Sequence, residues 1–346
     1  MVPALAVADA LVESGAEVSF VGTRERAESK LVPAAGYEID FLAVRGMDRK
    51  NPLKAAAALG RAAVGVGAAR KLLRARGADA VMGGGGYVAG PAGLAALALR
   101  LPLVLTEADS HLGVTNRLLA GRARRVCLAF PIPGRDDPRY LLTGRPVPAG
   151  IAAADRGDAR ERFGIPLDAR CLLIFGGSLG ALSVNRAAME AFAPGGPGDE
   201  RDYHVIHIAG ARDYAEAAAA LGEVDRYTLL EYEPDLGDAL AACDLVLARS
   251  GGSVYELTAA GRPAILVPYP HATGHHQHAN AEWMRGAGAA IIVDDADLNA
   301  ELLARRVAEV LGDGERLEAM SAASRSIAKP DAAERIADEI LSACRS

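Results

Sequence analysis

The stretch Leu245-Val-Leu-Ala-Arg-Ser-Gly-Gly-Ser-Val-Tyr-Glu256 decides the fold class of this chain. Its first four residues form an apolar run typical of a buried strand, and its glycine-rich turn leads into a helix predicted to begin at Ser253. Such a turn directs backbone N–H groups toward a phosphate at the positive end of the helix dipole. Glu256, one turn into the helix, can accept two hydrogen bonds from a vicinal diol such as that of ribose. The alternative interpretation is an ordinary glycine-capped crossover.

Two neighbouring loops have similar chemistry. The segment His271-Ala-Thr-Gly-His-His-Gln-His-Ala-Asn280 brings amide and imidazole groups to the next loop, where they could reach the hydroxyls of a sugar. The turn Phe175-Gly-Gly-Ser-Leu-Gly180 follows another apolar run and precedes a helix predicted to begin near Ala181. Because ligands of open α/β sheets bind at the carboxyl ends of the strands, the three loops together predict a nucleotide-sugar site.

Short apolar runs followed by helical patterns recur along the whole chain. This alternation predicts parallel sheets covered by helices on both faces, arranged as two doubly wound, Rossmann-like α/β domains that face each other. We place the junction in the Pro- and Gly-rich segment Thr143–Gly150. A last helix after Pro330 could stay with the second domain or return to the first. The predicted strands are Val18–Val21, Ile39–Val44, Ala80–Met82, Leu103–Leu105, Val126–Phe130, Cys171–Phe175, Val205–Ile208, Tyr227–Leu230, Leu245–Leu247, Ala264–Val267 and Ala290–Val293.

Composition narrows the class of protein. Hydrophobic residues make up 51% and charged residues 24% of the 346 residues, values typical of a globular protein, and no apolar run is long enough to span a bilayer. The four cysteines show no metal-binding or redox spacing, which suits a reducing cytoplasm.

The two halves of the chain differ in net charge. Residues 1–148 hold 20 Lys and Arg against 13 Asp and Glu, a net charge of +7; residues 149–346 hold 18 against 31, a net charge of −13. The basic half suggests an anionic partner or surface, although compositional drift is an equal alternative. We expect no nucleic-acid partner.

The chain resembles the MurG family over nearly its whole length. The resemblance includes the Gly176 loop and, in order along the chain, Pro3–Ala8, Gly22-Thr23, Leu31–Pro33, Gly84–Pro91, Thr115–Leu119, Ala260–Pro268, Asn280-Ala281 and Pro330–Arg335. It implies a GT-B fold with an N-terminal acceptor domain over residues 1–148, a C-terminal donor domain over 149–330, and a last helix, 331–346, that returns to the N-terminal domain. The implied reaction is inverting transfer of N-acetylglucosamine from UDP-GlcNAc to the MurNAc 4-hydroxyl of lipid I, which gives lipid II of peptidoglycan. Two alternatives stay open: a GT-B transferase with another lipid acceptor, such as diacylglycerol, and a non-catalytic nucleotide-sugar-binding remnant.

The resemblance also implies roles for individual residues. The loop holding Gly177, Ser178 and Gly180 would meet the donor diphosphate. Phosphate and uridine would be held by Gly251, Gly252 and Ser253, and the ribose by Glu256. The hydroxyls of N-acetylglucosamine would be bound by Gln277, with Asn280 beside it. On the acceptor side, the implied residue is Tyr87.

The chain departs from the family pattern in four places. MurG-like chains carry a first strand and a Gly-Gly-Thr-Gly-Gly-His loop before the position of Met1; both are missing here, and we expect a gene start assigned too late. The family's Glu-Gln-Asn is replaced by Glu107-Ala-Asp109, which puts a carboxylate where an amide is usual. The family's Gly-Asn-Pro-Val-Arg segment appears here as Gly144-Arg-Pro-Val-Pro148. The last arginine of the family segment is therefore missing, and Arg145 could take over its role. The Arg249 loop is one residue shorter.

We expect a metal-free reaction without a cofactor, because no Asp-x-Asp ends a strand and helix N-termini can stabilise a leaving diphosphate. In this chain Asp109 is the candidate catalytic base, with His111 behind it. The alternative of a metal site at His271, His275, His276 and His278 lacks a cysteine or carboxylate ligand. The basic helical stretch Pro52–Gly77 suggests peripheral, electrostatic attachment to the anionic cytoplasmic face of the bacterial membrane; a solvated helix face is the alternative.

Overall fold

A computed structural model of the chain describes residues 1–43, 52–177, 180–272 and 275–345; for residues 52–63 and Tyr87 the backbone alone is described. The chain divides into two compact units. Unit 1 contains Met1–Val147 together with Asp331–Ser346, and unit 2 contains Pro148–Pro330. The division falls one residue from the junction expected from the sequence, and the segment after Pro330 lies in unit 1.

The strands of unit 1 pair in two groups, all parallel. A two-stranded sheet joins β1 to β2, and a four-stranded sheet has the order β3-β4-β5-β6. Among the described residues, β1 pairs only with β2, and β3 pairs only with β4. The strands are β1 (Ser19–Gly22), β2 (Glu38–Phe41), β3 (Val81–Gly83), β4 (Leu103–Glu107), β5 (Arg125–Leu128) and β6 (Tyr140–Leu142).

The helices of unit 1 cover these sheets. Gly93 lets α4 approach α5 closely, since a Cβ at this position would lie 2.6 Å from Leu119 Cδ1. Within the same unit, α15 packs against α1 in one apolar cluster, and Arg125 Nε donates to Glu339 Oε2 at 2.8 Å. The helices are α1 (Val2–Glu13), α2 (Glu28–Ala34), α3 (Pro52–Ala75), α4 (Gly86–Leu99), α5 (Val114–Leu119) and α15 (Ala332–Cys344), with a 3₁₀ turn at Ala120–Arg122.

Unit 2 holds one parallel six-stranded sheet, ordered β12-β11-β10-β7-β8-β9. The central strands β7 and β10 are buried at every residue, as their unbroken apolar sequences require. The order reverses between β7 and β10, because the chain first moves toward β9 and then returns on the other side. The strands are β7 (Cys171–Phe175), β8 (His204–Ile208), β9 (Tyr227–Leu230), β10 (Leu245–Ala248), β11 (Ala264–Leu266) and β12 (Ala290–Ile292).

The helices of unit 2 pack on both faces of this sheet and build its main core with β7, β8, β10 and β11. Helix α8 buries six small or apolar residues on the side that packs against the sheet and its neighbouring helices: Val184, Ala187, Ala188, Met189, Ala191 and Phe192. The helices are α6 (Gly150–Ala153), α7 (Arg156–Phe163), α8 (Leu182–Phe192), α9 (Tyr214–Leu221), α10 (Leu236–Ala242), α11 (Val254–Ala259), α12 (His276–Gly286), α13 (Ala300–Leu311) and α14 (Gly314–Ser326).

The doubly wound α/β class predicted from the sequence is confirmed, and each of the eleven predicted strands coincides with an observed one to within a few residues. The strand β6 was not predicted, because Tyr140–Leu142 is short and partly exposed. In the described part of the chain, no helix is both long and apolar enough to cross a membrane.

Candidate functional site

Three loops of unit 2 leave the same edge of its sheet from three adjacent strands. They follow β7, β10 and β11, which lie side by side in the order β11-β10-β7. The point where the strand order reverses, between β7 and β10, is where open α/β sheets form a crevice for a ligand. The three loops singled out in the sequence therefore lie together at the place where this fold class binds nucleotides.

The loop after β7 is a tight glycine turn. Gly180 donates its N–H to Gly177 O at 2.9 Å, and both glycines have positive φ, 75° and 91°. A Cβ at Gly180 would lie 2.2 Å from Ala209 O, whereas a Cβ at Gly177 would meet nothing within 4 Å. The predicted diphosphate ligand Ser178 lies outside the described residues. Helix α8 follows directly. Its N-cap Ala181 makes no side-chain cap, and no residue in the described part of the chain accepts from the N–H groups of its first turn, which can therefore bind an anion.

A network of buried polar side chains holds the end of this loop in place. Asn185 Nδ2 donates to Ala209 O and to Asp213 Oδ2, both at 2.8 Å. Asn185 Oδ1 therefore accepts from His207 Nε2 at 3.0 Å, and His207 Nδ1 accepts from the hydroxyl of Tyr227 at 2.8 Å. Burial lowers the pKa of His207 to about 4, so its ring is neutral at pH 7. The network fixes Ala209 O against Gly180 and thus fixes the end of the loop.

The loop after β10 is held by the helix that follows β11. Ser250 Oγ donates to Gln277 O at 2.7 Å, and Asn280 Nδ2 donates to Ser250 O at 3.0 Å and to Gly251 O at 3.4 Å. Asn280 is 2% exposed, so the structure shows its amide supporting the loop; direct contact with a donor stays a prediction. Among the described residues, no acceptor is recorded for the amide N–H groups of Gly251, Gly252 and Ser253, which are the groups expected to bind phosphate and uridine.

The expected ribose ligand Glu256 is a partly exposed residue of α11. It follows Tyr255, whose ring stacks on that of Trp283 with centroids 5.0 Å apart. Trp283 is the only tryptophan of the chain and lies on α12, three residues beyond Asn280. Its fluorescence is therefore expected to report on changes at this loop.

The expected sugar ligand Gln277 lies in the first turn of α12. Its Oε1 accepts from the N–H of Tyr269 at 2.9 Å, which leaves its Nε2 turned toward Gly251. This orientation directs an N–H donor toward the phosphate loop, where a sugar hydroxyl could accept it. No group of three or more histidine, cysteine or carboxylate residues arranged to hold a metal ion is found among the described residues, including the described histidines of this loop.

The candidate base Asp109 belongs to a loop of unit 1 that folds around one buried carboxylate. This carboxylate belongs to Glu107, which is 7% exposed. Its Oε1 accepts a hydrogen bond from Asp109 N at 3.3 Å. Its Oε2 accepts from Gly113 N at 2.8 Å and from Asn116 Nδ2 at 2.9 Å. Asn116 Nδ2 also donates to Thr106 O at 2.9 Å. These contacts fix the backbone that carries Asp109, whose side chain is partly exposed. The expected acceptor residue Tyr87 is the second residue of α4, and its side chain lies outside the described residues.

A cavity of about 30 Å³ lies next to Glu107 at the carboxyl ends of β3, β4 and β5. Its lining includes Pro3 at the start of α1, together with Thr106 and Arg145. The carboxyl edge of the unit 1 sheet is thus concave beside the Asp109 loop, with a mainly apolar lining to which Thr106, Glu107 and Arg145 add polar groups.

Sequence reasoning missed the residues that position the loops. Asn185, His207, Asn116 and the role of Glu107 were not identified, although His207 is a polar residue inside the apolar run Val205–Ile208. A buried polar residue is normally hydrogen-bonded, so this pattern was the available signal.

Comparison with known proteins agrees with the geometry. Residues 1–128 match the glycosyltransferase family 28 N-terminal domain, and residues 171–336 match its C-terminal domain. Two relatives named UDP-N-acetylglucosamine--N-acetylmuramyl-(pentapeptide) pyrophosphoryl-undecaprenol N-acetylglucosamine transferase are similar over nearly the whole chain. The relative from Halorhodospira halophila is 41% identical over 97% of this chain and 92% of its own length, and that from Salinibacter ruber is 38% identical over 98% and 92%.

A solved structure is similar as well. The crystal structure of MurG from Acinetobacter baumannii has a TM-score of 0.78 and 29% identity, and the match covers 98% of this chain and 95% of that one. The fold and the loop-edge site define the class of GT-B glycosyltransferases. Within that class, the chain belongs to glycosyltransferase family 28 and, more closely, to the MurG family.

Proposed function

We propose that this protein transfers N-acetylglucosamine from UDP-GlcNAc to the MurNAc 4-hydroxyl of lipid I and so makes lipid II for peptidoglycan. The two relatives described above are named as transferases of N-acetylglucosamine to N-acetylmuramyl-(pentapeptide) pyrophosphoryl-undecaprenol. The observation that carries the proposal is the placement of the three loops at adjacent strand ends of unit 2, on both sides of the point where the strand order reverses.

Unit 2 is the proposed donor domain. The diphosphate lies against Gly177, Gly180 and the first turn of α8, and against the amides of Gly251–Ser253. Glu256 accepts from the ribose hydroxyls. Gln277 Nε2 donates to a hydroxyl of the sugar, because its Oε1 is already occupied by the N–H of Tyr269.

Unit 1, including residues 331–346, is the proposed acceptor domain. The 4-hydroxyl of MurNAc attacks the anomeric carbon, the bond to the UDP oxygen breaks on the opposite face, and the hydroxyl proton passes to Asp109. Glu107 positions Asp109 by fixing its loop. If Asp109→Asn leaves kcat unchanged while His111→Ala lowers it, His111 rather than Asp109 is the base.

The charge that develops on the leaving UDP is stabilised by the N–H groups at the start of α8 and in the Gly251 loop. Such preorganised donors stabilise a developing anion without a metal ion. We therefore propose a reaction without a cofactor. Activity that is retained in a chelator supports this, and activity that requires an added divalent cation contradicts it.

A peripheral site at the anionic cytoplasmic face of the membrane is also proposed. On the surface where α4 packs against α5, two apolar side chains project into solvent: Leu94 is 47% exposed and Leu118 is 71% exposed. Exposed basic residues lie on α3, on α5 and directly after the end of α4, namely Lys71, Arg74, Arg117 and Arg100. Exposed apolar and basic side chains on helices that pack against one another fit an anionic lipid surface that holds the acceptor. Arg76 is not counted, because it pairs with Glu38 and Asp40.

Vesicle sedimentation tests the membrane proposal. Vesicles with anionic lipid are expected to bind the protein at low salt, and binding is expected to weaken at high salt because surface charges are screened. Leu118→Ser should weaken binding further, whereas Leu167→Ser, an equally exposed leucine of unit 2, should not. Equal binding to neutral and anionic vesicles would contradict the electrostatic contribution.

Turnover with a defined acceptor tests the reaction itself. The protein is incubated with UDP-GlcNAc and a lipid I analogue in detergent, and the product is identified by mass spectrometry. One added N-acetylhexosamine on the analogue, with inversion at the anomeric carbon, is the expected result. Transfer to diacylglycerol but not to the analogue would identify the other lipid acceptor, and donor binding without any transfer would identify a binding remnant.

A further inference from the structure

Arg249, the residue between β10 and the phosphate loop, does not face the loop. Its side chain is 11% exposed and makes five contacts inside unit 2, one of them a hydrogen bond of 3.4 Å from Nη1 to Pro268 O. Nη1 donates to Val267 O at 3.1 Å and lies 2.5 Å from Asp295 Oδ1, and Nη2 donates to Ser183 Oγ at 2.8 Å. Its carbon Cζ lies 5.4 Å from the centroid of the Tyr269 ring.

Asp295 completes this cluster. Its Oδ1 accepts from Ser183 Oγ at 2.6 Å as well as from Arg249, so Ser183 donates to the carboxylate and accepts from the guanidinium. Ser183 lies in the first turn of α8, behind the glycine turn, and Asp295 lies in the loop after β12. Arg249 and Val267 follow β10 and β11. The cluster therefore connects the segments that follow β7, β10, β11 and β12.

The cluster also reaches the sugar ligand. Tyr269, on which the Arg249 guanidinium lies, donates its N–H to Gln277 Oε1 at 2.9 Å. A displaced Arg249 side chain would thus release both the start of the phosphate loop and the segment that orients Gln277. A buried arginine that loses its carboxylate partner is costly to keep in place, because its charge is no longer compensated.

We propose that Asp295, through Arg249 and Ser183, is a positioning residue that sets the affinity of the enzyme for the nucleotide-sugar donor. The inference rests on the proposed function of unit 2 as donor domain. Asp295 touches no donor group itself. It holds the three donor loops in one arrangement before the donor binds, so that binding does not have to order them.

The surroundings of Asp295 make a substitution practicable. Asp295 is partly exposed and lines a cavity of about 330 Å³ together with Tyr269, His275 and His278. Shortening this side chain enlarges an existing open cavity and creates no closed void in the core. The variant Asp295→Ala is therefore expected to fold.

The test compares Asp295→Ala, Asp295→Asn and the matched control Asp297→Ala, an exposed aspartate of the same loop. Donor affinity is measured by titrating UDP-GlcNAc and following Trp283 fluorescence, and KM and kcat are measured with a lipid I analogue. For Asp295→Ala we expect a donor KM and Kd about tenfold higher, with kcat and the acceptor KM within about twofold. Asp295→Asn keeps an oxygen acceptor for Ser183 and Arg249, so it should restore most of the affinity. The control should equal the wild type.

Each outcome separates this inference from the proposed function. If the wild type binds no UDP-GlcNAc, the proposed function fails. If the wild type binds and Asp295→Ala binds equally, or if Asp295→Ala lowers kcat without changing the donor KM, the positioning role fails. Ser183→Ala provides a second route, since it removes the hydroxyl between Asp295 and Arg249 and should raise the donor KM in the same direction. If Asp295→Ala does not fold, Ser183→Ala decides the question. An unchanged donor KM in that variant overturns the inference.

Discussion

The two units build their loop edges differently. In unit 2 six strands form one hydrogen-bonded parallel sheet, and the three donor loops leave adjacent strands. In unit 1 the strands fall into a group of two and a group of four. The backbone of unit 2 therefore fixes the spacing of its loops, whereas the Asp109 loop of unit 1 is shaped by side-chain contacts to one carboxylate.

Two glutamates show the consequence. Glu256 of unit 2 is partly exposed on α11, next to amides available to a ligand. Glu107 of unit 1 is buried and accepts three hydrogen bonds from its own loop. The comparison teaches that a carboxylate near a strand end can face a ligand or support its own loop, and that burial distinguishes Glu107, which is 7% exposed, from the partly exposed Glu256.

Replacing Glu256 should give the largest effect on the donor. Glu256→Ala removes two charge-assisted hydrogen bonds to the ribose, each worth about 2 kcal/mol, so the Kd for UDP should rise about a thousandfold. Calorimetric titration of UDP measures the effect, with Glu282→Ala on the exposed side of α12 as control. A loss of stability without a loss of affinity would reverse the roles assigned to the two glutamates.

Replacing Glu107 should give the opposite pattern. Glu107→Ala leaves the N–H groups of Asp109 and Gly113 and the amide of Asn116 without their acceptor, which should cost about 3 kcal/mol in the free energy of unfolding of unit 1. Hydrogen exchange of residues 109–116 should accelerate and kcat should fall, while the Kd for UDP stays within about twofold. Glu17→Ala, an exposed glutamate of the same unit, is the control. Unchanged exchange would show that Glu107 does not hold the loop.

A third prediction concerns the glycine turn of unit 2. Gly180→Ala places a Cβ 2.2 Å from Ala209 O and imposes a positive φ on alanine, so it should destabilise unit 2 by about 2 to 3 kcal/mol. The matched control is Gly195→Ala, which has a similar φ of 81° but no atom within 4 Å of the added Cβ. Denaturant unfolding of both variants measures the difference. Equal destabilisation would show that the carbonyl of Ala209 moves away at little cost.

The smallest effect depends on pH. Because the folded-state pKa of His207 is about 4, below the ordinary value of 6.5, the stability that its neutral form contributes is present above pH 6.5 and is lost as the pH falls toward 4. The loss should reach about 2 kcal/mol at pH 5. The free energy of unfolding of wild type and His207→Gln, measured between pH 4 and pH 8, should converge at low pH. Parallel pH profiles would mean that His207 is not buried as a neutral ring.

Much of the fold was predictable from local sequence. Apolar runs such as Cys171–Phe175 are buried on both faces of a sheet, and this requirement is visible in the residues themselves. The strand Tyr140–Leu142 was missed because a half-exposed edge position does not require an apolar run. The three loops were found because glycine turns and amide-rich segments follow strong strand patterns.

The side chains inside the site were less predictable. Arg249 and Asn280 stand in ligand-binding segments, and the sequence alone could not show that both turn toward backbone carbonyls of the protein. Asp295 and Ser183 are 112 residues apart, so no local pattern indicates their contact. A polar side chain near a strand end can bind a ligand or a neighbouring loop, and only the tertiary structure decides between them.

Calorimetric titration of UDP-GlcNAc into the protein, with UDP-glucose as comparator, tests the central claim that the loops of unit 2 form a nucleotide-sugar donor site. We expect one molecule of UDP-GlcNAc to bind per chain, more tightly than UDP-glucose, and Glu256→Ala to abolish binding at the same concentrations. Absence of binding by the wild type, or binding that Glu256→Ala leaves unchanged, would contradict the claim.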